Sequence, residues 1–130
     1  MTDPVFMSPE HVAAMNELLV DNEAVRAACA ELDRPLTLGY ELLDGPDGET
    51  VHWAMVFGET VQFSLEPVPA DLLFRGDWAR MVRTSRESRS GNASDPGVVP
   101  VGDLAVMTTI APAFAAAQAV ATVPVQFPDV

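Results

Sequence analysis

The order of predicted elements in this sequence places it in the α+β class. Apolar residues recur at helical spacing in the first third of the chain, whereas from Leu36 onward they alternate with polar residues, as in a half-buried strand. A strand, a Gly-Asp pair and a helix then follow one another twice. Two helices, three strands and two strand–helix units make an α+β arrangement.

The N-terminal part of the chain, residues 8–34, predicts two helices. Ser8 is a favourable N-cap residue, and Pro9 follows it at the first helical position, where its missing N–H costs nothing. Either Asp21 or Asn22 caps the second helix.

Residues 36–66 predict a three-stranded antiparallel meander. Apolar and polar side chains alternate over residues 36–42, 52–57 and 61–66. The turn sequences Asp-Gly-Pro-Asp-Gly and Gly-Glu-Thr separate these three runs, and such short turns join neighbouring antiparallel strands.

The segment 71–122 predicts two strand–Gly-Asp–helix units. In each unit the glycine lets the backbone turn sharply, and the aspartate accepts from free N–H groups of the first helical turn. These pairs are Gly76-Asp77 and Gly102-Asp103. A capping role is therefore expected for both aspartates rather than a catalytic one.

Two features are expected to interrupt the helices of this half. Residues 84–97 are polar and rich in Ser, Arg and Gly, which predicts a surface loop or short linker. The Ala-rich tail over residues 112–122 should be helical, but Pro112 predicts a break at its own position.

Composition narrows the functional classes. The 130 residues fit one domain, 1–130. The chain has no lysine and a formal net charge of −12, which disfavours nucleic acids and anionic membranes as partners. The single cysteine, Cys29, excludes an internal disulfide and is interpreted as a small core residue. No apolar run suggests a signal peptide or a membrane span, so we expect a cytoplasmic protein without integral membrane association.

One stretch resembles a known family. Residues 63–67, Phe-Ser-Leu-Glu-Pro, run into residues 70–78, Ala-Asp-Leu-Leu-Phe-Arg-Gly-Asp-Trp, as in the sterol carrier protein type-two lipid-binding family. The second pair, Gly102-Asp103, stands where that family begins its last helix. The resemblance implies a mixed, mainly antiparallel sheet of about five strands with helices packed on one face. It further implies an apolar tunnel for a fatty acyl or sterol-like molecule, and no catalytic residues.

Large apolar side chains form the predicted ligand-binding set. Methionine and aromatic residues suit an adaptable pocket, although the same residues would also fill a dry core, and the resemblance favours the pocket. Tyr40 adds a phenol able to donate to a ligand oxygen or to the backbone. The candidates are Tyr40, Trp53, Met55, Phe57, Phe63, Leu65, Phe74, Trp78, Met81, Met107, Ile110 and Phe114.

No metal or cofactor is expected. His11 and His52 lie in different predicted elements, without a second histidine or cysteine at ligand spacing. Neither a Gly-rich phosphate loop nor a Gly-x-Ser-x-Gly elbow occurs. The favoured hypothesis is a non-catalytic intracellular carrier of a lipid, sterol or other hydrophobic molecule.

Two other functions stay open at this point. A cone-shaped α+β isomerase or hydratase acting on steroid-like or polyketide-like substrates could use Tyr40 with Asp71 or Asp77 as acid and base. A regulatory domain could dock on a protein partner, or on a second copy of itself, through the Ala-rich tail or the five arginines within residues 75–89. Those arginines could equally form a solvated helix face.

Overall fold

Five strands and four helices make up the part of the chain that the computed structural model describes, residues 3–89, 91 and 97–127. The helices are α1 (Pro9–Leu19), α2 (Glu23–Ala30), α3 (Trp78–Arg89) and α4 (Ala105–Ala121). The strands are β1 (Leu36–Leu43), β2 (Val51–Phe57), β3 (Val61–Ser64), β4 (Leu72–Asp77) and β5 (Val99–Gly102).

Side-chain caps define where the helices begin. The Ser8 hydroxyl accepts from the His11 N–H at 3.2 Å, and the Asn22 side chain accepts from the Val25 N–H at 3.0 Å. Asp77 accepts from the N–H three residues later, and Asp103 from the N–H two residues later, both at 2.9 Å. Each bond satisfies a backbone donor that the first helical turn leaves free.

The sheet is mixed, with the strand order β3-β2-β1-β4-β5. The central pair β1–β4 is parallel, and the pairs β1–β2, β2–β3 and β4–β5 are antiparallel. This confirms the predicted α+β class and the mixed, mainly antiparallel sheet. The predicted meander did not indicate this parallel pair. The pair forms because the segment between β3 and β4 crosses the sheet and places β4 on the far side of β1.

The helices cover one face of the sheet. Leu38 of β1, Met55 of β2 and Phe63 of β3 lie in register on that face, and the core formed with α1, α2 and α4 includes them. A second cluster, where Leu42 meets α3 through Trp78, lies on the same face.

The segment between β3 and β4 crosses the opposite face. A Cβ atom at Gly39 would lie 3.1 Å from Ala70 Cβ and 3.2 Å from Leu73 Cδ1. Gly39 pairs with Ala54 across β1 and β2, and both small residues are buried. Small side chains are therefore needed on the sheet where this segment crosses it.

Two expectations about α3 and α4 were wrong. Helix α3 runs to Arg89, so residues 84–89 of the predicted loop are helical; residues 90 and 92–96 lie outside the described residues. Arginine and glutamate favour helix, and cations are stabilised at a helix C-terminus. Pro112 lies inside an unbroken α4. It and Thr108, whose carbonyl would accept from an N–H at position 112, are both exposed, so water can solvate that carbonyl.

The two ends of the described chain are joined. Val5 and Gln126 form a parallel bridge, in which the Phe6 N–H donates to the Gln126 carbonyl and the Gln126 N–H to the Pro4 carbonyl, each at 2.8 Å. The Gln126 side chain also donates to the Asp3 carbonyl at 2.8 Å. We call this pairing the terminal clasp; it places Phe6 and Phe127 with their ring centroids 5.1 Å apart.

Candidate functional site

A cavity of 230 Å³ lies between the helix-covered face of the sheet and the helices α1, α3 and α4. It is larger than the hole of about 150 Å³ that accommodates benzene, and smaller than the roughly 300–1,000 Å³ typical of sites for drug-sized ligands. Half of the predicted binding set lines it: Tyr40, Trp53, Met55, Phe63, Met81 and Phe114. That these side chains contact a ligand stays a prediction.

The other half of the predicted set lies elsewhere. Phe57 and Ile110 are fully buried in the core, and Met107 packs against it. Phe74 stacks on Tyr40 with a centroid distance of 5.4 Å. Leu65 and Trp78 line a separate groove of 380 Å³ beside the terminal clasp. The alternation of apolar residues along a strand identifies its buried face, but it does not show which residues of that face line the cavity.

A series of rings forms one wall of the cavity. Trp53 lies at the centre, with its ring centroid 5.2 Å from Phe63, 5.8 Å from His11 and 6.3 Å from Phe6. Phe6 in turn contacts His11 at 5.5 Å. These separations are typical of favourable offset and tilted ring contacts, so the rings stabilise one another within this wall.

His11 is the polar group most deeply enclosed by this wall. Its side chain is 1 % exposed, and its Nδ1 atom accepts from the Met7 N–H at 3.0 Å. The Nε2 atom is buried without a hydrogen-bond partner among the described residues. An unsatisfied buried donor costs about 1–3 kcal/mol.

Burial also fixes the charge state of His11. The loss of hydration, together with repulsion from the Arg89 guanidinium, lowers the pKa of the imidazole to about 4. At neutral pH the ring is therefore uncharged. Because Nδ1 accepts a hydrogen bond, the single ring proton is on Nε2.

Arg89 provides the cation of the site. It is the last residue of α3, and its Nη1 atom donates to the Val123 carbonyl, which follows α4, at 2.6 Å. The guanidinium carbon lies 5.6 Å from the centroid of Phe127, a cation–π distance. Partial burial lowers the pKa of Arg89, although the group stays protonated at any physiological pH.

The arginines of residues 75–89 do not form one surface. Arg75 Nε lies 3.5 Å from Glu41 Oε1 on the open face of the sheet, Arg80 packs against Gly97, and Arg89 lines the cavity. The regular spacing of Arg80, Arg83 and Arg86 therefore did not indicate which arginine meets the apolar site.

The sequence analysis missed His11 and Arg89. His11, Met15 and Leu19 follow one another at every fourth position of α1, and all three are buried. That spacing is the available signal for His11, because it places the imidazole on the apolar stripe. Arg89 gave no such signal, because its region read as a loop.

The remaining titratable groups have structural contacts. Asp71 accepts from the Thr37 N–H at 2.8 Å and from Arg34 at 3.1 Å, and the backbone bond in particular lowers the pKa of its carboxyl group. Burial raises the pKa of the Tyr40 phenol and of the Cys29 thiol. Within the described ranges, no three His, Cys, Asp or Glu side chains are grouped so that they could hold a metal ion.

Neither family profiles nor curated sequences match this chain, whereas solved structures do. A crystal structure of sterol carrier protein 2 matches with a TM-score of 0.60 and 17% identity, over 89% of this chain and 96% of that one. The fold is that of sterol carrier protein 2. A Thermus thermophilus protein described as possibly a sterol carrier protein matches equally well, with a TM-score of 0.60 and 17% identity over 92% of both chains.

Sterol carrier protein 2 from Yarrowia lipolytica in its apo form shares the fold as well. Its TM-score is 0.52 at 14% identity, over 91% of this chain and 94% of that one. The resemblance found in the sequence is thus confirmed for the fold, including the helix-covered mixed sheet. Among the described residues, no helix is long and apolar enough to cross a membrane.

Proposed function

We propose that this protein is a non-catalytic, intracellular carrier or presenter of a hydrophobic small molecule, which it holds in the cavity between sheet and helices. The observation that carries the proposal is the cavity itself: 230 Å³ bordered mostly by aromatic and methionine side chains within the fold of sterol carrier protein 2. A concave apolar site with a few polar groups is the usual form of a small-molecule site.

The proposed ligand is of lipid character, and a fatty acyl chain fits the cavity better than a sterol does. A rigid four-ring molecule needs more space than 230 Å³, whereas a chain can fill the available part and extend from the mouth. Arg89, Gln118 and Thr122 border the cavity and are exposed, so the mouth lies beside them.

An enzyme of the cone-shaped type receives less support. Such a protein ends in long antiparallel strands, whereas residues 105–121 form the helix α4. Its proposed acid and base are not brought together either, because Tyr40 lines the cavity while Asp71 and Asp77 do not.

Native mass spectrometry of the purified protein tests the carrier proposal. We expect an added mass of a fatty acyl molecule, released by solvent extraction, and a lower melting temperature after its removal, because a ligand stabilises the state that it binds. A protein that stays free of ligand, and that no member of a lipid panel stabilises, would contradict the proposal.

Charged substitutions in the cavity wall provide the matched comparison. Phe114→Glu and Met81→Glu should each abolish the ligand-dependent rise in melting temperature, because a carboxylate in the apolar wall must be desolvated when the ligand enters. Val99→Glu is the control, since Val99 is 61% exposed on the edge strand β5. Equal loss of the ligand effect in all three variants would contradict a role for the cavity.

A further inference from the structure

Two side chains stand between the cavity and the groove beside the terminal clasp. Phe6 and Met7 line the cavity of 230 Å³ on one side and the groove of 380 Å³ on the other. The groove is also lined by Pro46 and Val51 of the β1–β2 hairpin, and by Trp78 at the start of α3. A displacement of Phe6 and Met7 therefore joins the two spaces.

The segment that carries this partition, residues 5–7, lies outside the five-stranded sheet, and we call it the strap. The Phe6 N–H donates to the Gln126 carbonyl at 2.8 Å, and the Met7 N–H donates to His11 Nδ1 at 3.0 Å. Gln126 itself lies beyond the end of α4, in an isolated bridge with Val5. The strap can thus move without breaking a hydrogen bond of the sheet.

The backbone of the strap is strained in its closed position. Met7 has a φ of 61°, in the left-handed region. This region is unfavourable for a residue with a side chain, because the Cβ atom comes too close to the following carbonyl oxygen. Release of the strap lets Met7 return to an ordinary conformation, which offsets part of the cost of opening.

The ring contacts of Phe6 hold the strap closed. Its ring centroid lies 5.5 Å from that of His11 and 6.3 Å from that of Trp53, and Phe127 covers it at 5.1 Å. Apolar contacts are not directional, so an apolar ligand in the joined space can replace the contact that Phe6 makes with Trp53. A ligand too large for the closed cavity binds the open form alone and shifts the population towards it.

We propose that the strap is a movable closure of the cavity, and that its displacement joins the cavity and the groove into one site for apolar molecules too large for the closed cavity. The inference rests on the proposed function, since the same cavity forms part of the joined site. The cavity alone is smaller than the roughly 300–1,000 Å³ typical of sites for drug-sized ligands, whereas the cavity and groove together lie within that range.

A disulfide that locks the strap tests the inference. Val5 and Gln126 are partners in the parallel bridge, and paired strands lie about 4.8 Å apart, within the Cα separation of about 4.4–6.8 Å that a disulfide spans. Val5→Cys and Gln126→Cys are combined with Cys29→Ala, which removes the natural thiol. The oxidised and reduced forms then have the same sequence and differ in whether the strap is locked.

Naphthalene and pyrene are the probes, because both are uncharged aromatic hydrocarbons and they differ in size. Naphthalene is one ring larger than benzene, which fits a hole of about 150 Å³, whereas the four fused rings of pyrene need more space than the closed cavity provides. Titrations followed by probe fluorescence give both affinities. We expect oxidation to weaken pyrene binding at least about tenfold and to leave naphthalene binding unchanged, because the locked protein lacks the open form.

Removal of the partition should reverse the effect of the lock. Phe6→Ala joins the cavity and the groove permanently, so the oxidised form of this variant should bind pyrene at least as tightly as the reduced parent. Met107→Ala is the matched control, because it also shortens a large apolar side chain but Met107 lines neither space. Such a rescue would not follow if the disulfide merely disturbed the fold.

The outcomes distinguish the strap from the carrier proposal. Equal pyrene affinity in the oxidised and reduced forms would overturn the inference and leave a binding cavity, as would naphthalene binding without pyrene binding in either form. If the cysteine pair does not oxidise, Phe6→Ala in the natural protein decides, and a pyrene affinity no higher than that of Met107→Ala would overturn the inference. Binding of neither probe would contradict the inference and the carrier proposal together.

Discussion

Protonation of His11 should destabilise this protein at mildly acidic pH. The pKa of the imidazole is about 4 in the folded chain, against the ordinary value of 6.5, because burial removes the hydration of the charged form and Arg89 repels it. Below pH 6.5 the unfolded chain therefore binds a proton that the folded chain excludes. The stabilisation is complete above pH 6.5 and is lost as the pH falls towards 4.

The size of the effect follows from the gap between those two values. At about 1.4 kcal/mol for each pH unit, the gap corresponds to about 3 kcal/mol. Since a domain is stable by only about 5–15 kcal/mol, this is a large share of the total. Solvent screening reduces this contribution little, because His11 is only 1% exposed.

Urea unfolding followed by circular dichroism across this pH window measures the loss. His11→Asn removes the titration, and its amide oxygen can replace Nδ1 as acceptor for the Met7 N–H. The natural protein should lose about 3 kcal/mol more than this variant between pH 6.5 and 4, and the carboxylates that both proteins share cancel in the difference. His52→Gln, which replaces the other histidine and leaves His11 in place, is the control. Parallel curves for the natural protein and His11→Asn would refute the reasoning.

Three further substitutions test the fold by urea unfolding. Asp71→Ala should cost about 1–3 kcal/mol, because the Thr37 N–H loses its charged acceptor, and Asp71→Asn should cost less; equal losses would contradict this. Gly39→Val should cost about 1–3 kcal/mol through crowding against the crossing segment, whereas Gly58→Ala, which meets no atom within 4 Å, should be nearly neutral; similar losses at both sites would refute the packing argument. Pro112→Ala should stabilise by about 1–2 kcal/mol, since it restores a helical N–H; an unchanged or lower stability would show that the proline is not strained.

Much of the fold was predictable because its signals are local. Capping by Ser8 and Asn22, the alternation in β1 and β2, and the turns that join them depend on neighbours in sequence. The parallel pairing of β4 with β1 was not predictable in this way. It depends on how residues 65–71 cross the sheet, and on the small residue Gly39 beneath that crossing.

The candidate site was less predictable than the fold. Tyr40, Trp53 and Phe63 could be placed on one face from the period of the strands, and all three line the cavity. His11 and Arg89 reach it from elements distant in sequence, through contacts that only the assembled helices create. The apolar periodicity of a sequence indicates which residues are buried, but it does not indicate which distant residues they will contact.

The terminal clasp gives the cavity wall an unusual place in the order of folding. Phe6 and Phe127 are separated by nearly the whole chain, so their contact closes a very long loop and carries a large entropic cost. Because such distant contacts are costly to close, we expect them to form after the sheet and helices have assembled. Two backbone hydrogen bonds and one from the Gln126 side chain hold the clasp. Since Phe6 belongs both to the clasp and to the cavity wall, that wall is complete only once the two ends have paired.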